Sequence, residues 1–123
     1  MEQTARPDPT DDWLYRGYFA ADGTGRARIE GRDGGDYDLE VAPDEALDRV
    51  GIPTEVGWGY FGTGPLVLAG ALIRDAIPAH LRWPGDEDFL LSQWIACLNA
   101  DEGWTCTRSD LIGRLRSQRS ETH

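Results

Sequence analysis

The sequence predicts an α+β fold: a three-stranded antiparallel meander packed against a buried central helix and two further helices. Three observations carry that expectation. Period-two alternation runs through residues 13–41, broken by glycine-rich turns. From Leu66 onward the apolar spacing becomes helical, and proline or glycine punctuates each change. A chain of 123 residues is one domain's length, enough to bury roughly two thirds of its unfolded surface.

The elements follow in order. Residues 1–12 hold two prolines and four acids, which predicts a disordered acidic tail, with one α+β domain over 13–119 and a disordered end at 120–123. In WLYRGYFA, Trp13, Tyr15 and Phe19 alternate with Leu14, Arg16 and Tyr18, and DGTG supplies a hairpin turn. RARIEGR is the returning strand, DGGD a second turn, and YDLEVA a third strand with Tyr37, Leu39 and Val41 on one side and Asp36, Asp38 and Glu40 on the other. The meander then has one wet, acidic face. After Pro43, DEALDRV reads as a short helix with Asp44 and Glu45 in its first turn, where the helix dipole favours carboxylates. The central helix has Thr63 or Gly64 as N-cap and Pro65 at its first position, runs from Leu66 to Ile77 and stops at Pro78. Its apolar residues lie nearly all round, which predicts burial. Asp86 is expected to cap a helix over 86–98, and Ser109 one over 109–118. WTCT between them fits either a short strand or an extended link.

Charge excludes several functions. There are 22 acids against 12 bases, a net charge of −10, and every base is arginine. Without lysine, a P-loop, a Schiff base and a lysine general base are all impossible. An acidic surface repels nucleic acid and anionic membranes, so neither is an expected partner. The expected compartment is cytoplasmic: no run approaches the roughly 18 apolar residues of a membrane span, and MEQTARPDPTDD is unlike a secretion signal. The two cysteines, Cys97 and Cys106, look like small hydrophobes in a helix and a strand rather than a disulfide framework. Acidity without lysine also fits a chain from a G+C-rich genome or a saline cytoplasm.

Seven acids and no base stand between Asp33 and Asp48: Asp33, Asp36, Asp38, Glu40, Asp44, Glu45 and Asp48. On a strand, Asp36, Asp38 and Glu40 share one face about 6.6 Å apart. Aligned like charges cost stability, so such a face needs either full solvation or a basic partner. These seven are the candidate partner-binding residues. A single row is too sparse to imitate duplex DNA, with about one charge per 1.7 Å, unless the helix acids complete it.

Other motifs are weaker. The GTGP step before the central helix has the look of an anion site, but Pro65 removes an amide and the dinucleotide fingerprint is incomplete. DGGDYDLE lacks the order of a calcium loop, so no metal site and no cofactor are expected. His80 is the only histidine away from the terminus, which leaves nucleophilic catalysis without a base and no catalytic residue to name. The basic run Arg108, Arg114, Arg116 and Arg119 fits helix-dipole or internal pairing.

Three landmarks carry a resemblance: Tyr15-Arg16-Gly17, the octapeptide Trp58-Gly59-Tyr60-Phe61-Gly62-Thr63-Gly64-Pro65, and Trp104-Thr105-Cys106-Thr107. Over residues 13 to 118 the chain resembles a family of small uncharacterised proteins of bacteria, archaea, phages and plasmids, with a Trp-Gly-Tyr-x-Gly-Ser/Thr-Gly-Pro motif. It departs from that pattern at Thr63, at Leu66 and Val67, and at Cys106. The resemblance implies a mobile-element setting rather than a reaction. Together with the charge, it leads to a non-enzymatic acidic protein of a phage or mobile element that binds a basic host protein or nucleic-acid-binding complex. In its sharpest form it inhibits a nucleic-acid-directed host defence complex. The alternative is a small ligand-binding or enzymatic domain with a pocket at the 58–65 loop, lined by Trp58, Tyr60 and Thr63.

Overall fold

The computed structural model describes residues 12–41, 49 and 56–121. They form an α+β fold in which one sheet of order β3-β2-β1-β4 is covered on a single face by helices. Strand β1 spans Leu14–Phe19, β2 Gly25–Arg32, β3 Gly35–Asp38 and β4 Trp104–Thr107. Helix α1 spans Thr63–Ala76, α2 Asp86–Gln93 and α3 Arg108–Glu121. The expected short helix after Pro43 lies outside the described residues apart from Arg49, which is helical, as do residues 1–11 and 122–123; residues 120 and 121, expected in the disordered end, instead belong to α3.

Turn chemistry builds the meander. In the first hairpin the Ala20 N–H donates to Thr24 O at 2.9 Å and Gly23 takes φ +87°, the left-handed position of a three-residue loop. In the second, Asp33 and Gly34 both have positive φ, as a two-residue turn twisted to match its strands requires. A bulge at Gly31 precedes it.

The meander is extended by a fourth strand. Of the two readings open for WTCT, the strand is correct: β4 pairs antiparallel with β1, from Leu14 opposite Thr107 to Gly17 opposite Trp104. This places Tyr15, Ile29 and Cys106 side by side on the inner face against α1, and all three are buried. Leu68, Leu72 and Ala76 of α1 meet them from above, joined by Leu90, Ile95, Leu111 and Leu115.

Several boundaries correct the sequence expectations. Gly62, not Thr63 or Gly64, is the N-cap of α1. Gly85, in the left-handed conformation, caps α2. The carboxylate of Asp86 is buried instead, accepting the Trp83 N–H at 2.8 Å. The 86–98 helix is two pieces, α2 and a 3₁₀ turn over Ile95–Cys97. The break falls where Trp94 turns its ring onto Trp104 and the Ile95 carbonyl accepts the Gly59 N–H at 2.8 Å. Helix α3 starts at Arg108 because Thr107 Oγ1 accepts the Asp110 N–H at 3.1 Å, an N-cap contact one turn in. Cys106 is buried as expected, whereas Cys97 is exposed. No helix among the described residues is long and apolar enough to cross a membrane.

Candidate interaction surface

The expected acidic residues sort by register. Partners across the ladder share a face, so Arg28 and Asp38 lie together, as do Glu30 and Asp36, on the side away from the helices. That face is therefore mixed in charge rather than uniformly acidic. Arg16 Nε and Arg28 Nε both donate to Glu30 Oε2, at 2.8 and 2.6 Å. The hydrogen bond from Arg16 leads in holding the Glu30 carboxyl below its ordinary value.

Both arginines bond Glu30, and Arg28 also lies opposite Asp38 and within the field of Asp36, but neither arginine forms an ion pair with the strand beyond. Asp33, Asp36, Asp38 and Glu40 stand along β3 and its flanks, at the terminal position of the sheet. Among the described residues none of the four is in an ion pair. Asp36 Oδ1 accepts the Gly31 N–H at 3.2 Å, which pins the bulge. The structure thus brings four of the seven predicted partner-binding acids together, while Asp44, Glu45 and Asp48 lie outside the described residues.

Beneath β3 a cleft of about 620 Å³ opens between the inner face of the sheet and α1. Ile29, Leu39 and Ala71 supply its apolar side, Asp38 and Glu40 part of its rim. Tyr37, opposite Ile29 and 48% exposed, stands at its mouth. Deeper in, Asp75 accepts the Tyr15 hydroxyl at 2.7 Å and pairs with Arg32. Burial, with Asp75 adding to it, pushes the Tyr15 hydroxyl far above its ordinary value, so it stays a donor. This end of the cleft is closed by structural pairing. Sequence reasoning missed the Tyr15-Asp75-Arg32 cluster because its members are tens of residues apart and share no local pattern. Alternation sets Tyr37 on the side of Leu39, yet at the terminal strand it is half exposed while Leu39 is buried.

The alternative residues are placed differently. Trp58 is buried, and its indole N–H donates to Glu102 O at 2.6 Å while its ring meets Trp104 edge-on. The Tyr60 ring packs against Gly57, Gly62 and Gly64, so the glycines accommodate a side chain of the loop itself. Gly59, at φ +85°, leaves no space for a Cβ beside the Ala100 backbone. Thr63 is exposed at the head of α1.

The remaining candidates are spent on structure. Cys106 is pushed up to about 12 by burial, with the Asp110 carboxylate adding to it, so it stays a thiol. Arg108 donates to Ala76 O at 3.1 Å and lies over the Trp13 ring, and Arg114 lies over Trp94. No group of three or more metal-ligating side chains is found among the described residues.

Compared with family models, with curated proteins and with solved structures, the chain matches none.

Proposed function

We propose that this protein is a non-enzymatic interaction protein that presents the acidic terminal strand β3 to a basic protein partner. The observation that carries this reading is the gathering of four carboxylates along the terminal strand of the sheet and its flanks. Arg16 and Arg28 form their ion pairs with Glu30, while Asp33, Asp36, Asp38 and Glu40 gather at the sheet's end and make no ion pair among the described residues. Rows of like charge cost stability, and a partner of opposite charge relieves that cost while steering its own approach. A sharper form of the reading, inhibition of a nucleic-acid-directed host defence complex, draws on the mobile-element setting that the sequence resemblance implies and on the basic channels such complexes expose.

The test is titration with a small basic protein such as a histone tail peptide. Asp36→Asn, Asp38→Asn and Glu40→Gln combined should weaken binding about tenfold, since each exposed pair contributes roughly 0.2–1 kcal/mol. Neutralising Asp88, Asp101 and Glu102 together is the control. Equal losses in both variants would mean that only net charge matters, and the reading would fall.

A further inference from the structure

The ladder between β2 and β3 has a parity that decides what β3 offers a partner. The Leu39 N–H donates to Ala27 O at 3.1 Å, so Leu39, and Tyr37 two residues before it, turn their backbone groups toward β2. The intervening residues alternate, which directs the N–H and C=O of Asp36 and Asp38 away from the sheet at its terminal edge. Two of the four clustered acids are thus the residues of β3 with outward backbone groups. Resting on the reading of β3 as the partner-binding element, we infer that the partner binds by strand addition: an extended basic segment pairs with the backbone of Asp36 and Asp38 as a fifth strand.

The flanking surfaces specify that segment. Alternate side chains of an added strand point to opposite faces. Those on the outer face stand beside Asp36 and Asp38 and are arginine or lysine. Those on the inner face reach Tyr37 and the apolar side of the cleft made by Ile29, Leu39 and Ala71, and are apolar. The occupant is therefore a segment of alternating basic and apolar residues. A second copy of this chain is excluded by the same acids, because β3 paired with β3 sets carboxylate against carboxylate.

The probe is a short synthetic peptide alternating arginine and valine, compared with a peptide of identical composition whose arginines and valines form two blocks. Backbone hydrogen exchange of the full chain is read residue by residue. On saturation with the alternating peptide, exchange at Asp36 and Asp38 should slow at least about tenfold, while Tyr37 and Leu39, already bonded to β2, change little. Asp38→Pro removes the outward N–H at a position where an edge strand tolerates proline, and should weaken the alternating peptide about tenfold beyond Asp38→Asn, which removes the charge alone. The block peptide should bind more weakly to the wild type and lose no more from Asp38→Pro than from Asp38→Asn. Binding of both peptides equally, with exchange at Asp36 and Asp38 unchanged, would overturn strand addition and leave the acidic surface standing. Binding unaffected by neutralising Asp36, Asp38 and Glu40 would overturn both.

Discussion

The hydroxyl of Tyr15 donates to Asp75 Oδ2 across 2.7 Å, tying the first strand to the last turn of α1. The same carboxylate pairs with Arg32, whose guanidinium lies 4.2 Å from the centre of the Trp13 ring. Tyr15→Phe should lower stability by about 1.5–2 kcal/mol, the lower part of the range for a hydrogen bond to a charged acceptor. Asp75→Ala should cost more, about 3 kcal/mol, because it strands a largely buried guanidinium. Urea midpoints at constant m-value measure both. A Tyr15→Phe chain as stable as the wild type would show that the carboxylate is solvated rather than held.

The Trp104 indole packs directly against Gly17, where any Cβ would overlap the ring. Gly17→Ala should cost about 3 kcal/mol by overpacking. In a Trp104→Leu background the same substitution should cost much less, since the overlap is gone and neighbouring effects are not additive. Equal costs in the two backgrounds, read from thermal unfolding, would place the strain elsewhere.

Alkaline stability follows from two buried groups. Cys106 is raised from 9.0 to about 12, and Tyr15 is raised further from 10.0, each chiefly by burial. In both cases the folded state holds a proton that the unfolded chain gives up. Their contributions are therefore complete below pH 9 and lost as pH rises, first through Cys106 and then through Tyr15. Unfolding midpoints measured from pH 7 upward should fall from about pH 9, and Cys106→Ala should shift that onset toward pH 10. A midpoint that stays flat to pH 11 would contradict the burial of both groups.

Residue 12 secures the start of α3. Asp12 Oδ1 accepts the Ser109 N–H at 2.9 Å and Oδ2 accepts the Ser109 hydroxyl at 2.7 Å, beside the Thr107 cap. Burial works to raise the Asp12 carboxyl, but the Ser109 hydrogen bonds outweigh it and hold the group below 3.8. Its contribution is thus present above pH 3.8 and lost as pH falls below. Asp12→Ala and Thr107→Ala should each cost about 1 kcal/mol at neutral pH. At pH 2 the Asp12→Ala loss should shrink while the Thr107→Ala loss persists. Parallel losses at both pH values would remove Asp12 from the cap.

Much of the fold was legible because it is local. Asp33-Gly34 marks a two-residue turn by its tolerance of positive φ, and Ala20 to Thr24 closes a hairpin with glycine where φ is positive. Pro65 and Pro78 bracket α1 within a residue or two. Of the candidate surface, the acids on β3 were legible as a row, since period two assigns Asp36 and Asp38 to one face whatever lies beside them. Their neighbours were not. Arg28 faces Asp38 only through the register set by the Asp33-Gly34 turn and the Gly31 bulge. Nor did spacing reveal the acceptor of the Trp58 indole, which is the carbonyl of a residue 44 positions away.

The sequence by itself determined the α+β class, the meander, the buried central helix and the acidic strand, all consequences of periodicity, turn residues and charge within a few positions. Only the tertiary structure decided that WTCT is the fourth strand, that arginines mix the charge of the outer face, and that β3 ends the sheet with its backbone groups outward. Those are properties of pairing between distant segments. Each depends on which edges find partners as the chain collapses, and neighbouring residues do not encode that choice.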